Sequence, residues 1–417
     1  SSGTTDETFA VSDTARLVRV IVQNGDSEPS IVLLKLQKGM PVEWAGSGTQ
    51  ADPYQLATTA QLALLSERSA ENRYANTYFK FVNDITLPAG WTPIGTTGNR
   101  FGGVIDGDGH LLTVPAGEKA LLGATENATL KNLNIYGESI NGNGVVNIYT
   151  TGSTKPCITI ENVTLKAGTT TSGSGFISGY ASGSHPVTIR NCTVEEGVTI
   201  GDGTASNIGS FGGDFNGTVI GCVSHATVKG VNYVGGICGN KGQTMGDYVI
   251  IDCIFDGTVT ATGNYAGGIS GGGYGGTSWG LDSAPNTPCV TILNCLCSGS
   301  IIGSDKVGGI LGAEPGVKEC WNNGVGYIQS NLFTGTVTAT GESASVGGIV
   351  GYLSSLNNAM VISDNYYLGT AAAKGIGKIE MVETPETSGS FGTGFNKYTL
   401  SGAKYGRTDD PTGADAD

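Results

Sequence analysis

The sequence predicts an all-β chain: a right-handed parallel β-helix of about eight or more coils of ~30 residues, with an N-terminal helix and strand cap. Three observations predict it. The composition favours strands and tight turns, four apolar and turn-forming columns recur along the chain, and a Gly-Gly block follows each later recurrence at the same place.

The 417 residues include 69 Gly, and only 14% are charged, against about 25% in an average globular domain. Abundant Gly, Thr, Val and Ile suit short strands joined by bends. The glycines follow no G-X-Y period, which excludes collagen. The net charge of −14 disfavours nucleic acid and anionic membranes, which need clustered Lys and Arg. No apolar run reaches the ~18 residues of a membrane-spanning helix. The polar opening SSGTTDET is expected to follow a removed export or lipoprotein signal.

The repeat is clearest at residues 248–271, YVIIDCIFDGTVTATGNYAGGISG. An aliphatic anchor recurs as Leu130, Ile160, Ile189, Val219, Ile250, Ile292, Ile328 and Ile362, at spacings of 30, 29, 30, 31, 42, 36 and 34. Two residues later stand Asn132, Asn162, Asn191, Gly221, Asp252, Asn294, Ser330 and Asp364. All are turn formers that tolerate a left-handed backbone or bond their own main chain. The next column is Leu133, Val163, Cys192, Cys222, Cys253, Cys295, Asn331 and Asn365. Two further on come Ile135, Leu165, Val194, Ser224, Phe255, Cys297, Phe333 and Tyr367. No helix fits in such a unit, which excludes ankyrin, TPR and leucine-rich repeats. Coils stacked at about 4.8 Å put like residues on one another.

Stacking accounts for the cysteines. Nine Cys is an odd number, so a complete disulfide framework within one chain is excluded. Cys192, Cys222, Cys253 and Cys295 are expected to be an interior ladder of free thiols, packed as small hydrophobes. Asn331 and Asn365 extend that column as an amide ladder. No Cys or His spacing suits zinc, and no metal or cofactor is expected.

Four blocks match closely: residues 234–239 (VGGICG), 266–271 (AGGISG), 307–312 (VGGILG) and 346–351 (VGGIVG). Their Gly pairs permit a corner or a tight backbone approach. A dinucleotide loop is excluded, because no helix follows and the motif recurs once per coil.

The chain divides by sequence into four parts. Residues 1–45 hold two strand-like runs, 17–23 (LVRVIVQ) and 31–37 (IVLLKLQ), which form a hairpin or a small lead-in. Residues 46–128 hold the cap and first coils. Residues 58–70 (TTAQLALLSERSA) predict a helix with Leu62, Leu65 and Ser69 on one face, capped by Thr58 or Thr59. The Asp106-Gly107-Asp108-Gly109 run is a turn, since the further oxygens of a calcium loop are absent. Residues 129–370 are the repeat. Residues 371–417 lose the period and end in an acidic tail, with Phe391, Phe395, Tyr398 and Tyr405 available to cover the lower end of the stack.

As an ordered set, several motifs resemble bacterial GLUG-repeat surface proteins. They are Gly46-Ser47-Gly48-Thr49 with Asp52-Pro53-Tyr54, Tyr78-Phe79-Lys80 with Asp84-Ile85-Thr86-Leu87, Trp91-Thr92-Pro93-Ile94-Gly95, Asp106-Gly107-Asp108-Gly109-His110, and the Val-Gly-Gly-Ile blocks. The resemblance covers roughly residues 46–370 and implies a secreted or surface-attached, adhesin-like solenoid with no shared catalytic residues. The coils from Leu130 to Val219 depart from it, lacking clean Gly-Gly-Ile blocks.

Insertions follow each block at residues 240–247, 272–288, 313–326 and 352–359, so they are expected to project side by side. Tyr274, Trp279, Asp282 and Trp321 in these loops are the candidate ligand-binding residues. Aromatic rings beside a carboxylate stack on a sugar face and bond its hydroxyls; the alternative is that the rings pack beneath their own loops. The expected partners are host or microbial glycans or surface proteins, met by a monomer. A β-helix polysaccharide lyase or glycosidase is the alternative, and a structural spacer the next. Glycoside hydrolysis needs a convergent pair of carboxylates. Asp214, Asp252, Asp256 and Asp305 do not line up at one strand position. His110, His185 and His225 are isolated, so no catalytic residues are expected.

Overall fold

The computed structural model describes residues 17–22, 30–35, 43–147, 157–177, 187–241, 248–273, 290–314, 325–354, 359–380 and 405–407. The chain separates into two compact units, Ser1–Ala45 and Gly46–Asp417.

The first unit contains an antiparallel pair, β1 (Leu17–Val22) and β2 (Ser30–Lys35), with Leu17 opposite Lys35 and Val22 opposite Ser30. The expected hairpin is present.

The second unit is a parallel β-solenoid. Two eleven-stranded parallel sheets run its length, joined in the later coils by sheets of six, five and six strands. At about 4.8 Å per strand, ten intervals span about 48 Å. The anchor column is in register throughout, from Leu130 paired with Ile160 to Ile328 paired with Ile362. It also extends three coils upstream, through Tyr54, Phe79 and Ile105. Every member from Phe79 to Ile362 is buried. The stack is therefore longer than the eight anchors legible in sequence.

The bend column behaves as its residue types require. Asn132, Asn162, Asn191, Gly221, Asp252, Asn294, Ser330 and Asp364 all have φ between 53° and 62°. For most L-residues this left-handed region costs about 1–2 kcal/mol, while Asn, Asp and Gly visit it readily. The bends also bond to one another along the stack. Asn162 Nδ2 donates to Asn132 Oδ1 at 3.0 Å, and Asn294 Nδ2 to Asp252 Oδ1 at 2.7 Å.

The Cys column does more than pack. Each left-handed bend leaves the next backbone N–H pointing along the stack. Sulfur in the following coil accepts it: Val163 N–H donates to Cys192 Sγ and Cys192 N–H to Cys222 Sγ, each at 3.4 Å. At the lower end the stronger acceptor takes over. Cys295 N–H donates to Asn331 Oδ1 at 2.9 Å, and Asn331 N–H to Asn365 Oδ1 at 3.1 Å. Asn331 Nδ2 also donates to Ile292 O and to Asn365 Oδ1, each at 2.9 Å, which completes the amide ladder. The seven described cysteines are buried free thiols.

The Gly-Gly-Ile blocks are close approaches rather than left-handed corners. A Cβ on Gly267 would lie 1.8 Å from Ser270 O and 2.6 Å from Gly312 N of the next coil. A Cβ on Gly268 would lie 2.2 Å from Gly309 O and 2.3 Å from Cys297 Sγ. The chain folds back here so tightly that two of the shorter sheets meet through glycine backbone. The coils that lack the full block keep its inner member. A Cβ on Gly144 would lie 2.2 Å from Gly175 O and one on Gly175 2.1 Å from Ser210 O, as one on Gly268 would meet Gly309 O. Ser210 itself turns its hydroxyl to Ser224 at 2.7 Å.

At the upper end lies α1 (Thr59–Ser69). Thr58 caps it, accepting from Gln61 N–H at 3.2 Å, while Gln61 Oε1 accepts from Ala57 N–H at 2.8 Å. Leu62, Leu65 and Ser69 are fully buried, so the helix covers the first coils along the face its sequence marks. The Asp106–Gly109 segment is a turn: Asp106 Oδ1 accepts from Asp108 N–H, and His110 N–H donates to Gly107 O. Past residue 370 pairing continues where the period suggested a loss. Ile376–Glu380 joins a short sheet beside Val350–Ser354, and Tyr405–Arg407 pairs with Asn365–Tyr367. Phe391, Phe395 and Tyr398 lie outside the described residues.

Candidate binding surface at the loop-bearing edge

The solenoid places its insertions at one edge. Strands Cys238–Lys241, Ser270–Gly272, Leu311–Glu314 and Val350–Ser354 are neighbours in one six-stranded sheet. Each is followed by an insertion and then by a strand of the first long sheet: Tyr248–Ile251, Thr291–Leu293, Val325–Gln329 and Ala359–Ser363. Asn240, Gly272, Ala313, Tyr352 and Lys378 pair in register, so the roots of the insertions are stacked. Segments 148–156 and 178–186 leave from the equivalent place, after the bridge residues Val146 and Ile177. One coil has no insertion, since only Asn216 separates the strands Gly212–Phe215 and Gly217–Ile220.

Tyr274, Trp279, Asp282 and Trp321, the residues singled out by sequence, lie outside the described residues, as does His185. The described surface holds a second aromatic set that the sequence reading missed. The residue before each of the first three blocks is half-buried with a left-handed backbone: Tyr233 at φ 54°, Tyr265 at 70° and Lys306 at 56°; Ser345, before the fourth, is buried and lacks that backbone. That conformation turns each side chain along the stack. Tyr233 and Tyr265 are parallel, their centroids 4.3 Å apart and their planes 4° from coplanar. Lys306 Nζ sits 4.6 Å from the Tyr265 centroid and 4.6 Å from that of Tyr352, and donates to Tyr265 Oη at 3.1 Å. Lys378 Nζ lies 5.9 Å from the Tyr352 centroid. The Tyr233 ring lies over Gly272, where a Cβ would come within 2.5 Å of it. Glycine at that root therefore makes room for the ring.

This ladder of two stacked phenols, an ammonium and a third ring borders the loop roots. Tyr233, Tyr265 and Lys306 are half-buried. The sequence signal was available in the residue ahead of each block, which reads Tyr, Tyr, Lys, Ser at 233, 265, 306 and 345. It follows no chemical pattern, and its meaning comes from stacking.

The acidic residues weighed for catalysis have structural partners. Asp252 accepts from Asn294, and Asp305 Oδ1 accepts the backbone N–H of Lys306 and of Ser345, each at 2.7 Å. His225 Nδ1 pairs with Asp256 at 2.5 Å, and His110 with Asp84 at 3.1 Å. The Leu111 N–H and the His110 ring hold the Asp84 carboxyl below the usual carboxylate range. Among the described residues no three His, Cys, Asp or Glu side chains converge as a metal site.

The fold and its edge define the class: a parallel β-solenoid with the roots of its insertions stacked along one side. No family model matches the chain. An alignment 113 positions long, covering 24% of the chain and 13% of the other protein, shows 33% identity to a "Putative Gly-rich membrane protein" of Evansella cellulosilytica. The chain thus matches only a small part of that longer protein. No solved structure matches. Among the described residues no helix is long and apolar enough to cross a membrane.

Proposed function

We propose that the chain is a secreted or surface-displayed, adhesin-like module that binds glycans along its loop-bearing edge and catalyses no reaction. The observation that carries this reading is the stack of loop roots flanked by the Tyr233, Tyr265, Lys306 and Tyr352 ladder. The half-buried Tyr233 and Tyr265 offer ring edges and hydroxyls to a sugar, and a repeat scaffold holds them at a fixed spacing. Tyr274, Trp279, Asp282 and Trp321 belong to the insertions that rise from these roots, and supply further rings and a carboxylate. The likeness to GLUG-repeat surface proteins, which rests on the motifs quoted above, agrees with display outside the cell.

Glycan-array binding of the wild type and of a Trp279→Ala/Trp321→Ala variant tests the proposal. Wild-type binding that the double variant loses supports it. Binding to no glycan overturns it in favour of a spacer, and release of new reducing ends or unsaturated sugars overturns it in favour of an enzyme.

A further inference from the structure

We infer that the described part of this edge selects acidic glycans, with Lys306 as the group that receives the sugar's carboxylate or sulfate. The inference rests on the glycan-binding reading and adds the charge class of the ligand.

Lys306 carries the argument. Its ammonium is fixed between two rings, 4.6 Å from each centroid, and is held by the Tyr265 hydroxyl. Cation–π contacts of this kind orient an ammonium without neutralising it. None of the described ion pairs includes Lys306. The adjacent carboxylate, Asp305, directs Oδ1 to two backbone N–H groups. Lys378 reaches the same Tyr352 ring, so two like charges share one aromatic platform. An anion placed beside Lys306 gains a charge-assisted hydrogen bond on a pre-ordered donor.

The surroundings sharpen the choice. In a chain of net charge −14, a cationic step on the loop-bearing edge is a local reversal of sign. It adjoins the Tyr233 and Tyr265 rings rather than a basic cluster, which favours a sugar carrying an acid group over a bare polyanion such as nucleic acid. Stacked rings present an apolar edge to the sugar, and the ammonium one coil further along takes its acid group.

The test is titration of the whole chain with three oligosaccharide probes: oligogalacturonate, heparan sulfate oligomer and neutral cellohexaose. Wild type is expected to bind one of the acidic probes, weakening as salt rises. Lys306→Met keeps the stem against the rings and is expected to lose tenfold or more in affinity, the scale of a hydrogen bond to a charged group. Lys306→Arg is expected to keep most of it. The acidic probe that binds distinguishes a uronate ligand from a sulfated one. Binding of cellohexaose alone, or an unchanged affinity in Lys306→Met, overturns the inference and leaves glycan binding standing. Binding of none of the probes, with none on a wider array, removes both. An unchanged circular dichroism spectrum and melting curve for Lys306→Met confirm that any loss is local.

Discussion

Replacing Gly267 by alanine tests whether the Gly-Gly-Ile blocks exist for close backbone approach. The added Cβ would sit 1.8 Å from Ser270 O and 2.6 Å from Gly312 N, and both obstacles are backbone. An ordinary carbon–oxygen contact needs well over 3 Å, so the fold-back must open by more than an ångström. The same contact recurs at 1.9 Å for Gly235, 2.0 Å for Gly308 and 2.0 Å for Gly347. Opening one coil therefore misfits it against both neighbours. Overpacking typically costs 1–3 kcal/mol, and a backbone obstacle with two neighbours places this case at about 3 kcal/mol. With a urea slope of about 3 kcal/mol/M, the midpoint falls by about 1 M. The control is Gly98→Ala, where the nearest atom to the new Cβ is Thr96 Oγ1 at 4.0 Å; it should change stability by no more than about 1 kcal/mol. The assay is urea unfolding followed by circular dichroism and tyrosine fluorescence. If Gly267→Ala costs no more than the Gly98→Ala control, the close-approach argument is wrong.

Further outcomes follow from the interior columns. Asn331→Leu leaves the Cys295 N–H without its acceptor and takes one donor from the Ile292 carbonyl, and should cost about 2 kcal/mol in the same unfolding assay. Cys222→Val removes the weak sulfur acceptor of the Cys192 N–H and a weak S–H donor to the Ile189 or Ile220 carbonyl and should cost about 1 kcal/mol; collapse of the fold would refute the packing account of the ladder. Ser330→Asn, at φ 56°, should stabilise by about 0.5 kcal/mol, because Asn enters the left-handed region more readily. Burial pushes the Cys297 thiol up to about 12 and the Cys222 thiol higher still. In the unfolded chain thiols ionise near 8.5, so stability is intact below that pH and falls as pH rises from there toward 12. A variant with Cys289 and Cys320 changed to Ser should accordingly resist thiol reagents at pH 8 until it is unfolded; prompt labelling would show the thiols to be accessible.

The architecture was readable because a solenoid repeats its packing problem. Ile160, Asn162, Cys192 and Leu165 each have counterparts that face the same neighbours, so burial and bend chemistry recur as columns. The sequence places the first coils within residues 46–128, but their anchors escape alignment because their spacings are shorter, 25, 26 and 25 from Tyr54 to Phe79, Ile105 and Leu130. They also lack the Asn or Asp bend, having Leu56, Phe81 and Gly107 two residues after the anchor. The Gly-Gly block was located correctly, but its cause lies in the fold-back onto the Ser270 carbonyl of the same coil and the Gly312 amide of the next, 3 and 45 residues from Gly267. The same holds for the candidate surface. Tyr233, Tyr265 and Lys306 are 32 and 41 residues apart and share no chemical type. Only the register of the coils brings the Tyr233 phenol onto that of Tyr265 and the Lys306 ammonium onto the Tyr265 ring.

The in-register loop roots fix how recognition scales with the number of coils. Neighbouring roots are held one strand apart, about 4.8 Å, by the most rigid part of the molecule. A polymeric ligand that engages one root meets the next at a set pitch, with its second contact already intramolecular. On the proposed glycan-binding reading, strength of attachment then depends on valence, a count of coils, as well as on single contacts such as that of Lys306. Duplication or loss of a whole coil changes that count by one and leaves every remaining contact as it was.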